Sequence, residues 1–210
     1  MESSMFSSLL TALSGSAAAT RMLQEGIVKR LSEKSVIVHE GQYFDSIPIL
    51  MDGYAKMVMQ QDSRSFMLQY ITPVRCCVMP YSAVNRQVQS RIGIVAETDV
   101  AVLYVSTEKI LKWICEYPSL NEWLQYQYND YEQVMLSVVQ QLLFDDLESR
   151  LLHFLNEKAH LSRTTMLVIK HKEIAAEIGS VREVVSRTLK KLEKEHKIIQ
   201  HEHAVELLSF

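Results

Sequence analysis

The sequence predicts an α+β chain in three parts: an N-terminal β jelly roll, one long helix and a C-terminal winged helix-turn-helix. Three features carry that prediction. Short β-like runs separated by turn residues crowd residues 27–105, an apolar stripe at helical spacing starts just after Pro118, and a glycine break at Gly179 separates two amphipathic helical stretches near the C-terminus.

The chain has 210 residues, 48% of them hydrophobic, which is enough apolar material for one medium domain and a small one. No run approaches the roughly 20 apolar residues that a membrane span requires. The opening "MESSMFSSLLTALSG" lacks the basic start and full apolar core of a secretory signal, so a cytoplasmic protein with no membrane partner is expected. Three cysteines, Cys76, Cys77 and Cys115, make neither a disulfide framework nor a four-thiolate metal site. The net charge of −3 is unevenly spread: residues 1–162 carry 13 basic and 18 acidic side chains, residues 163–210 nine and seven. A weakly basic C-terminal module on an acidic body fits a discrete DNA reader better than a general nucleic-acid coat.

After a poorly patterned N-terminal helix candidate come the runs "SVIVHEG", "IPILMDGYAKMVM", "SFMLQYI" and "RIGIVAETDVAVLYVS". Their length and spacing predict a small antiparallel sandwich or jelly roll, with Gly41, Gly53, Gly93 and the Glu97-Thr98-Asp99 cluster at its corners. From Pro118, a residue suited to the first turn of a helix, the pattern becomes helical. Leu124, Tyr128, Tyr131, Met135, Val138 and Leu142 recur at spacings of 4, 3, 4, 3 and 4. One helix packed on its own domain gives such a stripe, and so does a coiled-coil seam. The position of this helix between a β domain and a small basic module favours a dimer seam.

The last segment divides into "LESRLLHFLNEKA", "TTMLVIKHKEIAAEIG", "SVREVVSRTLKKLEKEH" and "KIIQHEHAVELLSF". A short helix from His171 to Ile178 ends at Gly179, and Ser180 with Glu183 has the spacing of a capping box for the next helix. Val181, Val184, Val185, Thr188, Leu189 and Leu192 supply its buried stripe, and two short strands follow, completing a winged helix-turn-helix. Arg182, Glu183, Ser186 and Arg187 then remain on the outward side of the second helix. Arginine's planar fork matches guanine O6 and N7, and a carboxylate accepts from cytosine N4, so this group suits reading of base edges. Lys190, Lys191 and Lys194, further along, are placed for phosphates.

These segments together resemble the Crp/Fnr transcription regulators, with a cyclic-nucleotide-binding-like (cNMP-binding-like) β roll, a dimerisation helix and a winged helix-turn-helix. The resemblance runs from "KSVIVHEGQYFDSIPILMDGYAKM" through "AETDVAVLYVS" to "HKEIAAEIGSVREVVSRTLKKLEKEHKI". Its sharpest part is Arg182, Glu183, Ser186 and Arg187, in register with the family's Arg-Glu-x-x-[Gly/Ser]-Arg. It implies base contacts by those four, phosphate contacts by Lys170 and Lys172 beside the Lys190 already placed by its position, and RNA polymerase as a further partner. It implies domains at 1–117 (effector), 118–143 (dimerisation helix) and 144–210 (DNA binding).

The effector domain departs from the family pattern. Nucleotide-binding members carry Gly-Glu-Leu and, about ten residues on, Arg-Ser or Arg-Thr. Here Met79-Pro80-Tyr81 and Ser90 stand at those places, and Arg91 is one residue off, on the opposite face of a strand. Arg86 reaches a phosphate only with a rebuilt loop. Cyclic AMP is therefore disfavoured, no cofactor is expected, and some other small effector is left open. Haem on His39 or on Cys76/Cys77 is a weaker alternative. His201 and His203 read as a wing-tip pair without a third metal ligand. The expected protein is a homodimeric regulator reading a palindromic site in double-stranded DNA; a module sensing a cyclic nucleotide or other small ligand is the alternative. No phosphate loop, nucleophile elbow or metal-ligand spacing supports an enzyme.

Overall fold

The computed structural model describes residues 9, 11–13, 17–61, 64–77 and 89–208. They form two compact units, one of residues 1–59 and 68–135, the other of residues 60–67 and 136–210.

The first unit opens with α1 (Ala17–Glu25), followed by β1 (Ile27–Leu31), β2 (Val36–Val38), β3 (Ser46–Asp52), β4 (Ala55–Gln61), β5 (Arg64–Ile71), β6 (Gly93–Ala96) and β7 (Val100–Ser106). The strands make two antiparallel sheets, ordered β1-β7-β3 and β2-β6-β4-β5, the end of β4 and the start of β5 being counted with the second unit. β7 explains the arrangement. Its sequence, VAVLYVS, is apolar on both faces and buried almost throughout, so it takes the centre, with Ile27 opposite Tyr104 on one side and Ile49 opposite Leu103 on the other. Burial on both faces turns the usual alternation into a continuous apolar run. Gly53 makes its corner with φ +72°, where a Cβ would also run into the carbonyl oxygen of Asp99. Gly93, expected at a corner, instead begins β6.

Two helices follow: α2 (Thr107–Glu116) and α3 (Pro118–Phe144). The sequence patterning did not suggest α2. It starts on the residue after β7, fixed by the Thr107 hydroxyl donating to the Asp45 carbonyl at 3.2 Å, and buries Ile110 and Trp113 one turn apart. α3 begins at the expected proline. Its first half lies against its own unit, with Leu120, Trp123, Leu124 and Tyr131 in the core. Gln127, 3% exposed, accepts from the Cys76 N–H at 3.0 Å and donates to the Val74 carbonyl, while the Tyr131 hydroxyl donates to the Cys76 carbonyl at 3.2 Å. Arg75 and Asp130 add an ion pair. A buried amide placed between two backbone groups is costly to misplace, so these contacts fix the rotation of α3 about its axis.

That rotation divides the apolar stripe. Leu124 and Tyr131 are in the core of the unit, Met135 packs partly against it, and Val138 is buried; Tyr128 and Leu142 are 40% and 49% exposed. Leu136, Val139 and Leu143, outside the stripe read from the sequence, are 53%, 50% and 70% exposed.

The second unit contains the end of α3, α4 (Leu147–Ser162), β8 (Met166–Val168), α5 (His171–Glu177), α6 (Arg182–Lys194), β9 (Ile198–Gln200) and β10 (Ala204–Leu207). Asp146 caps α4, accepting from the Ser149 N–H at 2.8 Å, which lowers its pKa. Three strands, ordered β8-β10-β9, form the wing sheet. Two strands were expected; β8 is the addition, its Leu167 opposite Val205. Three residues are too few to announce a strand before a partner is known. The core of this unit comprises Leu151, Phe154 and Leu155 of α4, Ile174 of α5, Val185, Leu189 and Leu192 of α6, and Ile198, Val205 and Leu207 of the wing.

Candidate nucleic-acid interface

α5 and α6 are joined by a turn built on Gly179. The N–H of Ile178 returns to the Ile174 carbonyl, Gly179 takes φ +66°, and the Ser180 N–H bonds to the Ala175 carbonyl at 2.9 Å. Only glycine enters that φ region without strain. Arg150 of α4 donates to the Ile178 carbonyl at 2.5 Å and so satisfies the end of α5. At the other end of α5, Glu173 accepts from the Lys170 N–H at 2.9 Å.

The expected Ser180–Glu183 capping box does not form. α6 starts one residue later than the sequence suggests, with Val181 at the cap position and no side-chain cap bond. Glu183 therefore stands second in the helix, whereas the box needs a carboxylate at the third position. The Glu183 side chain is not used to close the helix end.

α6 separates its two faces cleanly. Val185, Leu189 and Leu192 are buried, while Arg182, Glu183, Arg187 and Lys190 are exposed, and Val184 and Ser186 lie at the margin. Val181, assigned to the buried stripe from sequence, is 55% exposed, because it precedes the first turn. Residues 182, 183, 186, 187 and 190 share one side of a 3.6-residue helix. The Arg187 Nε bonds loosely, at 3.4 Å, to the Glu183 carbonyl. Ser186 is engaged: its Oγ lies 2.9 Å from the Nδ1 of His171, the first residue of α5.

Among the phosphate candidates, Lys170 and Lys172 are exposed on either side of His171, and Lys190 is exposed on α6. Lys191 belongs elsewhere. Its ammonium pairs with Glu148 of α4, which also holds Lys197 at 3.1 Å, and the two lysine contacts keep the Glu148 carboxyl below its ordinary pKa. In the wing, Glu193 accepts from the Gln200 N–H at 2.7 Å, and His201 lies 3.0 Å from Glu206. His203 is 3.9 Å from Glu202, so each wing histidine has a carboxylate beside it.

Of the positions read for nucleotide chemistry, Met79, Pro80, Tyr81 and Arg86 lie outside the described residues. Ser90 is 8% exposed, and its hydroxyl donates to the Ile92 carbonyl at 2.7 Å, a local bond that occupies it. Arg91 is exposed. His39 is exposed, whereas Cys76 and Cys77 are fully buried, and burial pushes the Cys77 thiol up to about 12.

Residues 149–210 match the family model of the Crp-like helix-turn-helix domain. No curated protein sequence matches the chain. Among solved structures, a regulator from Eubacterium rectale assigned to the Crp/Fnr family superposes with a TM-score of 0.81 at 19% identity, over 92% of this chain and 90% of that one. The c-di-GMP-responsive global regulator CLP of Xanthomonas campestris gives 0.77 at 16% identity, over 91% and 98%. FixK2 of Bradyrhizobium japonicum gives 0.67 at 16% identity, over 88% and 93%. Among the described residues, no helix is long and apolar enough to cross a membrane. Residues 149–210 thus form a Crp-like helix-turn-helix domain, and nearly the whole chain has the fold of these solved regulators.

Proposed function

We propose that this protein works as a cytoplasmic homodimer that reads a palindromic DNA site with α6 and acts on RNA polymerase, without catalysing a reaction of its own. The observation that carries the proposal is the exposed row Arg182, Glu183 and Arg187 opposite a fully buried stripe on the second helix of a helix-turn-helix. Those three, with Ser186, meet base edges; Lys170, Lys172 and Lys190 meet phosphates. The proposed divisions are an effector domain at 1–117, the dimerisation helix at 118–143 and the DNA-binding domain at 144–210. The dimer contact uses the exposed apolar residues of α3, namely Tyr128, Leu136, Val139, Leu142 and Leu143. A two-fold dimer presents two α6 helices to successive turns of the major groove, which is why the site is palindromic.

Selection of binding sites from random DNA tests the reading residue by residue. Arg182→Ala or Arg187→Ala should lose about 1–3 kcal/mol on the selected site and relax preference at one position. Lys172→Ala should weaken all sequences together and flatten the salt dependence, since phosphates carry no sequence information. Because Glu183 closes no capping box, Glu183→Gln should leave the helix intact and change the preferred base pair. An unchanged site at unchanged affinity in all of these variants defeats the assignment.

A further inference from the structure

The bond between His171 and Ser186 joins the two helices of the helix-turn-helix through a reading residue. His171 is half-buried on α5, with its Nδ1 2.9 Å from the Ser186 hydroxyl on the second turn of α6. The charges around it are mostly positive. Arg182 acts on it from α6, Lys190 lies one turn beyond Ser186 on the same helix, and Lys170 and Lys172 flank it in sequence. The neighbouring carboxylate, Glu173, is turned back onto the Lys170 N–H. Burial first, and Arg182 second, hold the His171 pKa below its ordinary value, so the ring is neutral near pH 7 in the free protein.

DNA reverses this balance. Phosphates brought to Lys170 and Lys172 arrive beside His171 as well, and their negative charge favours the imidazolium. Protonation also changes what Ser186 can do. A neutral ring either accepts from the serine hydroxyl or donates to it, according to its tautomer. The imidazolium can only donate, which leaves the Ser186 O–H free to donate outward, to guanine O6 or N7, thymine O4 or a phosphate. We propose that His171 is a positioning residue of the DNA-reading surface: it holds the Ser186 hydroxyl, and the proton it takes up when DNA binds makes specific binding tighten as the pH falls. The inference rests on the assignment of α6 as the recognition helix.

The experiment measures the affinity of the full-length protein for a duplex carrying its own selected site, at constant salt, from about pH 8 to about pH 5.5. His171→Gln is the comparison, because its amide can still bond Ser186 but does not titrate. The wild-type affinity should rise relative to that variant as pH falls, by up to about tenfold per pH unit, the limit for one proton. Other histidines affect both proteins alike and cancel in the ratio. The His171 ring resonance, assigned by its absence from the variant, should titrate at higher pH when the duplex is present. Sites selected at the acid and alkaline ends of the range should differ at one position for the wild type and coincide for Ser186→Ala. Parallel pH profiles for wild type and His171→Gln, or a ring titration that the duplex leaves unmoved, would overturn the inference while leaving α6 as the reader. A wild-type protein that selects no sequence at any pH would defeat the recognition-helix assignment and this inference with it.

Discussion

The three thiols of this chain share a chemistry but occupy different surroundings. Cys76 and Cys77 are fully buried, and removal from water disfavours the thiolate, pushing Cys77 up to about 12 and Cys76 up as well. Cys115 is exposed on α2. Alkylation of the native protein near pH 8 should therefore label Cys115 alone, with the other two reacting only after denaturant is added; mass spectrometry of the labelled peptides reads this directly. Rapid native labelling of Cys77 would show that the segment carrying it opens readily. Cys76 has a further function, since both of its backbone polar groups are held by α3, one by Gln127 and one by Tyr131. Tyr131→Phe leaves the buried Cys76 carbonyl without that donor, and a loss of about 1–2 kcal/mol is expected in denaturant unfolding.

At the level of the element, α3 has two different apolar faces. Leu124 is in its own core, so a charge there should unfold the unit whatever the oligomeric state. Val139 is half exposed in the single chain, where a glutamate costs little; across a dimer seam the same glutamate becomes a buried, unpaired ion costing several kcal/mol. Val139→Glu should thus give folded monomers by sedimentation, with a circular dichroism spectrum like the wild type. A stable dimer of this variant would remove α3 from the interface. In the DNA-binding unit, Glu148 ties α4 to α6 and to the turn before β9 through Lys191 and Lys197. Its pKa is depressed on folding, so the stabilisation is present above the unfolded carboxylate value and fades as pH falls through the folded one. The melting temperature of Glu148→Gln should fall below that of the wild type near neutral pH, and the two should converge only once the pH is below the ordinary carboxylate range. A gap that stays constant with pH would mean the pair contributes through packing alone.

For the whole molecule, the testable chemistry is that of cyclic nucleotides. The Ser90 hydroxyl, at the place where the sequence resemblance puts the nucleotide-clamping arginine, is bonded to the Ile92 carbonyl. A cyclic phosphate needs a cation at that place. Cyclic AMP and cyclic GMP should then bind the intact protein no tighter than about millimolar, equivalent to about 4 kcal/mol. Micromolar binding in calorimetry would show that Arg86 or Arg91 supplies the missing charge. With the proposed interface, DNA affinity should be steeply salt-dependent although the protein as a whole is acidic, because the basic side chains proposed to meet DNA are local to one unit.

The sequence by itself determined the order of the parts and which face of α6 is exposed. Apolar runs on both faces of β7, a helix starting at Pro118, and a glycine where the backbone must take positive φ are local properties, so they are visible one residue at a time. Arg182, Glu183 and Arg187 followed from the buried stripe of the same helix, which 3.6-residue periodicity displays directly. Other features were decided only by contacts between distant segments. A heptad stripe does not say which of its residues face the helix's own domain, and the hydrogen bonds of Gln127 and Tyr131 to Cys76, about fifty residues away in sequence, settled that for α3. The start of α6 is a local exception: it shifted by one residue because Ser180 bonds back to Ala175, which released Glu183 from the cap. β8 exists because β10 pairs with it, and Lys191 left the phosphate face because Glu148 lies on another helix. The link from His171 to Ser186 spans two helices whose separation in space no periodicity encodes. Apart from the α6 start, each of these depends on the free energy of a long-range pairing, which local propensity does not contain.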